Sequence, residues 1–161
     1  MKKHKIVLLL FLSVWLLTSC DGNKIYESNV EIPKGSWDIE HVAQFKFAIE
    51  DTKIPYNLKV NVRNTEFYMS QNLWVFIKTT SPSSKVQYDT LNCLLANDKG
   101  EWLGEGMGDI WDLSVPYKQS IGFPEKGQYT VEIKHGMRMQ KVPMIMEIGL
   151  RVEKAEIEEK D

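Results

Sequence analysis

Tyr56-Asn57-Leu58-Lys59-Val60-Asn61-Val62-Arg63 alternates apolar and polar residues for a full eight positions. A period of two places Tyr56, Leu58, Val60 and Val62 on one face and Asn57, Lys59, Asn61 and Arg63 on the other. That is a β-strand with one face in a core and one in water. No helix of 3.6 residues per turn collects those apolar side chains on one side.

The same period recurs on both sides of this stretch. Phe45, Phe47 and Ile49 alternate with Lys46 and Glu50 within 42–50. Tyr129, Val131 and Ile133 alternate with Thr130, Glu132 and Lys134, and Ile148, Leu150 and Val152 with Gly149 and Arg151. Residues 24–32, 88–96 and 101–103 also read as strands. Leu73-Trp74-Val75-Phe76-Ile77 is apolar at every position. It predicts a central strand covered on both sides, with Trp74 in the core. Residues 110–117 contain Pro116, which has no N–H to give a central ladder, so an edge strand is expected there. Turn clusters separate the strands: Pro33-Lys34-Gly35-Ser36, Asp51 to Pro55, Ser81 to Lys85, Asn97-Asp98-Lys99-Gly100 and Phe123 to Gly127. Residues 135–141 predict a short helical turn stopped by Pro143. No long amphipathic helix is present. The expected fold is all-β, an antiparallel β-sandwich of jelly-roll type, with an immunoglobulin-like sandwich as second choice.

The N-terminus follows different rules. Lys2, Lys3 and Lys5 precede the apolar run 6–17, which is too short for a comfortable membrane span of about 20 residues. Leu17-Thr18-Ser19-Cys20 closes it and reads as a lipobox. A signal peptidase would cut before Cys20, whose thiol takes the lipid. The acyl chains would then anchor the protein at about 0.8 kcal/mol per buried CH2. The expected organisation is a signal peptide over 1–19, a lipidated N-terminus and tether over 20–23, a β-sandwich over 24–152 and a loose charged tail over 153–161. The expected location is the cell envelope, on the periplasmic face of the outer or inner membrane.

Beyond residue 19 the chain holds 17 basic and 22 acidic residues, a formal charge of −5. That sign disfavours binding to nucleic acid or to an anionic bilayer through bulk electrostatics. Cys20 and Cys93 are the two cysteines, so no disulfide framework and no zinc spacing exist. Cys93 lies among leucines and reads as a small buried hydrophobe. His41 and His135 stand in no nucleophile motif, and a hydrolase has no residues to rest on. No cofactor is expected, and the protein is read as non-enzymatic.

The unusual stretch is Gly104-Glu105-Gly106-Met107-Gly108-Asp109, flanked by Trp102 and Trp111. No helix pattern follows it and no lysine is placed for phosphate, so a nucleotide loop is rejected. The glycines are expected to serve a bulge or tight bend with positive φ. Asp98, Glu101, Glu105, Asp109 and Asp112 match no calcium template and read as a solvated acidic edge. Trp102, Gly104, Gly106, Gly108, Asp109 and Trp111 are the candidate binding loop. Trp102 and Trp111 are expected to pack inward ahead of stacking on a sugar. Met137, Met139, Met144 and Met146 are split between core filling and an adaptable binding surface.

Several of these segments together resemble a known family. They are the lipobox, Tyr26, Ile32-Pro33-Lys34-Gly35 with Trp37, and 58–65 with Tyr68 and Asn72-Leu73-Trp74. Asp89-Thr90-Leu91, the run 98–110, Phe123 to Tyr129 and Gly149-Leu150-Arg151-Val152 complete the set. The pattern resembles the gliding motility lipoprotein GldH family. The resemblance implies an envelope lipoprotein connected with gliding and type IX secretion, whose partners are other envelope proteins, and it brings no catalytic site. The rival expectation is a module binding carbohydrate or peptidoglycan through Trp102, Trp111 and the acidic loop.

Overall fold

The alternating stretches become strands because each one buries its apolar set against another. The computed structural model describes residues 22–156. The lipobox, Cys20 and residues 157–161 lie outside the described residues. Eleven strands run in order among them: β1 (Lys24–Glu31), β2 (Ser36–Asp38), β3 (Ala43–Ile49), β4 (Tyr56–Thr65), β5 (Asn72–Thr80), β6 (Val86–Leu94), β7 (Glu105–Met107), β8 (Ile110–Ile121), β9 (Gly127–His135), β10 (Lys141–Pro143) and β11 (Ile145–Lys154).

Two antiparallel sheets form the sandwich. One has the order β1-β11-β4-β8-β7 and the other β3-β9-β5-β6, with β2 and β10 as a separate small ribbon. Set aside the three-residue strands and number the long ones along the chain. The sheets then read 1-8-3-6 and 2-7-4-5, which is the jelly-roll order. The fold is therefore the all-β sandwich expected, in its first-choice topology.

The core lies between the sheets. Leu58, Val60 and Val62 of β4 and Ile148, Leu150 and Val152 of β11 face Phe45, Val75, Ile77, Val131 and Ile133, all buried. At one end Phe123 stacks edge-on against Tyr56, Phe47 and Tyr129, with ring centroids 4.7 to 5.8 Å apart. At the other, Trp37 packs edge-on against His135 at 5.6 Å and donates its indole N–H to the His41 carbonyl at 2.8 Å.

Three local expectations change. Leu73, Val75 and Ile77 are buried, but Trp74 is 41% exposed and Phe76 44%. β5 is interior to its sheet, yet no layer among the described residues covers its outer face, so Trp74 is not a core residue. Residues 135–141 form no helical turn: His135 ends β9, residues 138–140 bend, and 141–143 pair with β2 through Val142 and Trp37. Pro143 sits in that ribbon instead of stopping a helix. β4 runs on through Thr65, because Asn64 and Thr65 pair with both β11 and β8 or β8 alone. The C-terminal strand also continues past the expected boundary at 152, pairing Glu153 with Asn57 and Lys154 with Tyr56. β8 is an edge from residue 113 on, since β7 pairs only with residues 110–112, and Pro116 lies in that free stretch.

Candidate functional site

The glycine-rich stretch is not a loop. Asn97 forms the turn before it, its side-chain oxygen accepting the N–H groups of Lys99 (2.9 Å) and Glu101 (3.0 Å). Trp102 then bridges to Ala96, and its ring packs against the core. Residues 105–107 are β7, hairpinned onto β8 with Gly106 opposite Trp111. Of the three glycines only Gly108 has positive φ, at 65°, where the hairpin turns. Gly104 and Gly106 are needed for proximity instead. A β-carbon on Gly104 would lie 2.3 Å from the Asp112 carbonyl oxygen, and one on Gly106 2.8 Å from the Trp111 ring. Asp109 is exposed at the turn, and its carbonyl accepts the Glu66 N–H at 2.8 Å, tying the hairpin to the end of β4. The hairpin thus joins Trp102, Gly104, Gly106, Gly108, Asp109 and Trp111 in one unit. It leaves neither indole among the exposed aromatics, and the apolar side chain of Met107 is 87% exposed.

The hairpin borders a concavity that sequence reasoning missed. The outer face of the five-stranded sheet forms a polar hollow of about 570 Å³ next to Leu103, Gly104 and Glu105. Gly149 lies beneath two of its lining residues, Asn29 and Asn61. A β-carbon there would fall 1.8 Å from the Asn29 side-chain oxygen, so the Asn29 and Asn61 side chains close over the glycine. Asn61 donates to Glu27 at 3.1 Å and accepts the Ser114 hydroxyl at 2.8 Å.

Around this centre the charges are cross-linked. Arg63 grips Asp112 with two bonds, Nε to Oδ1 at 2.7 Å and Nη2 to Oδ2 at 3.1 Å, and also pairs with Glu147. Arg151 reaches Glu27 at 3.1 Å and Glu153 at 2.7 Å, and Lys59 reaches Glu153 at 2.6 Å. The bonds to Asp112 raise the Arg63 pKa further above its ordinary value. Burial pushes Glu27 and Glu153 up, but the bonds and charges of their neighbours outweigh it and hold both below the usual carboxylate range. For Glu27 those neighbours are Lys24, Asn61 and Arg151; for Glu153 they are Lys59 and Arg151. The signal available in sequence was the polar half of β4 itself: Lys59, Asn61 and Arg63 all point outward.

Other reactive groups are held apart. Cys93 is fully buried, and burial pushes its thiol up to about 12. His135 is fully buried against Trp37, and burial pulls its pKa down. Asp89 accepts the Tyr117 hydroxyl at 2.7 Å and pairs with Lys118 at 3.0 Å. Among the described residues no three or more His, Cys, Asp or Glu side chains gather as a metal site. The methionines divide: Met137 and Met146 pack inward, with the Met137 sulfur 3.3 Å from the Trp74 nitrogen, whereas Met139 and Met144 are exposed.

This sandwich corresponds to a described family unit. The model for the GldH lipoprotein matches residues 24–152, from the first residue of β1 into β11. The chain belongs to the GldH lipoprotein family. It is 32% identical over 158 residues to the gliding motility lipoprotein GldH homolog of Christiangramia forsetii, across 93% of this chain and 96% of that one. It is 32% identical over 152 residues to the gliding motility lipoprotein GldH of Flavobacterium johnsoniae, across 90% and 94%. The polar hollow's charged strands β1, β4 and β8, the β7–β8 hairpin and all of the jelly roll but the last two residues of β11 fall inside the GldH match. No helix among the described residues is long and apolar enough to cross a membrane. A GldH lipoprotein is held at a membrane by its acyl chains.

Proposed function

We propose that this GldH-family chain is a non-enzymatic accessory or assembly lipoprotein of an envelope machine for gliding and type IX secretion. Cys20 carries the lipid, and the short segment 20–23 holds the sandwich close to the periplasmic face of the outer or inner membrane. Partners dock on the polar hollow and the adjoining β7–β8 hairpin. The observation that carries this reading is the face itself. Arg63, Arg151, Lys59 and their carboxylates are fixed on four strands of a rigid sheet by mutual bonds of 2.6 to 3.1 Å. Such a face offers geometrically defined charge for recognition, which gives specificity and register more than bulk affinity. The sugar-binding alternative loses its platform, because Trp102 and Trp111 pack against the sandwich and their own hairpin.

The test is replacement of the chromosomal gene by Arg63→Glu, with Asp109→Ala as a second variant. Both should accumulate at wild-type levels in the membrane fraction, yet lose co-purifying envelope proteins and impair motility or secretion. If both variants retain companions and phenotype, the hollow is not the working face.

A further inference from the structure

The edges of the two sheets are guarded unequally. β1 carries Lys24, Glu27 and Glu31, β3 carries exposed Lys46, β7 has three residues and β8 contains Pro116. Charges and proline on an edge discourage pairing with another chain. β6 is nine residues long and lies last in its sheet order. Its one charged residue, Asp89, is turned to the inner side, where Tyr117 and Lys118 bind it.

The ladder fixes which backbone groups β6 leaves open. The Leu95 N–H donates to the Gln71 carbonyl at 2.9 Å, continuing the β5–β6 register in which Asn72 faces Leu94. In an antiparallel pair the peptide groups of successive residues point to opposite sides. The odd residues of β6 therefore serve β5. The N–H and C=O groups of Val86, Tyr88, Thr90, Asn92 and Leu94 point away from it, and no strand among the described residues meets them. The same residues put their side chains on the uncovered outer face. There Tyr88 is 75% exposed, beside Phe76, which stands opposite Thr90.

We propose that β6 is a self-association edge: two copies of this chain pair β6 antiparallel about a two-fold axis at Thr90, and their four-stranded sheets become one continuous sheet. The sequence of the edge argues for a second copy. About Thr90 the open residues match themselves, Val86 against Leu94, Tyr88 against Asn92 and Thr90 against Thr90. The pairs are apolar with apolar, aromatic with amide and hydroxyl with hydroxyl, and no like charges meet. All five pairs use backbone groups the monomer leaves open. The outer-face strip containing Phe76 and Tyr88 becomes continuous across the axis.

Sedimentation of the full-length lipidated chain in detergent micelles tests this. The wild type should dimerise. Thr90→Lys and Thr90→Glu should each weaken the dimer at least tenfold, because like charges then face each other across the axis. An equimolar mixture of the two should restore it. Thr90→Pro removes one open N–H and no β5 ladder bond, so it should stay folded and monomeric. Thr90→Cys should oxidise to a chain of doubled mass in the envelope, since directly opposed residues lie about 5.5 Å apart. The proposal is overturned by a wild type still monomeric at about 100 μM. A dimer indifferent to both charged variants, or a Thr90→Cys adduct with a different chain, also overturns it. The charged variants alter an exposed side chain and keep the test decisive if the proline variant fails to fold.

Discussion

Gly106 lies so close beneath the Trp111 ring that a β-carbon on it would stand 2.8 Å from the indole. No carbon–carbon contact tolerates that distance, so the hairpin or the ring must move in any variant. Gly106→Ala should lower stability by about 1–3 kcal/mol, as overpacking does. Gly108→Ala should lower it by about 1 kcal/mol for a different reason, its φ of 65°. Urea melts separate them, because only the Gly106 variant should also shift tryptophan emission.

Arg63 and Asp112 form the best-defined ion pair of the polar hollow, but both are substantially exposed. Removing the pair with Arg63→Ala should therefore cost about 1 kcal/mol or less. The same variant should abolish partner capture, which charge geometry rather than stability controls. A large drop in melting temperature would instead mark Arg63 as a structural clamp between β4, β8 and β11.

Acid should destabilise this protein in two stages. His135 has a folded pKa below its ordinary 6.5, so the unfolded chain binds its proton first. Its contribution is complete above pH 6.5 and is lost as pH falls through the folded value. Glu27 and Glu153 are depressed below 4.5, so their contribution is present above 4.5 and is lost on further acidification. Thermal melts from pH 8 to pH 3 should show both stages. Lys59→Gln should flatten the second stage, because it removes the bond and charge that help hold Glu153 down. A Lys59→Gln variant with unchanged acid sensitivity would sink this assignment.

The two cysteines should behave oppositely. Cys20→Ala should leave an uncleaved precursor that no longer partitions into detergent as a mature-sized species. Cys93 is buried with a pKa near 12, so it should resist alkylation in the native state and react only on unfolding. Iodoacetamide labelling with and without denaturant reads this directly. Rapid native labelling of Cys93 would contradict its burial.

The sequence by itself determined the strands and the packing of their inner faces. Leu58, Val60 and Val62, and Val131 and Ile133, are buried because a period of two leaves no other way to cover them. The turn at Asn97 was equally legible, since its side chain forms local bonds to residues two and four positions on. Tertiary structure alone decided what lies outside. Trp74 and Phe76 share an apolar run with buried neighbours, and they are exposed because no further layer among the described residues covers them. The role of Gly106 followed from a ring five residues away on another strand, and positive φ there was the wrong expectation. Beyond the polar half of β4, the polar hollow could not be assembled from sequence because Glu27, Asn61, Asp112 and Arg151 lie on four strands. The jelly-roll order brings β1, β11, β4 and β8 side by side, and register then sets Arg63 opposite both Asp112 and Glu147. Local periodicity records which face of a strand is apolar; it carries no record of which strand will lie beside it.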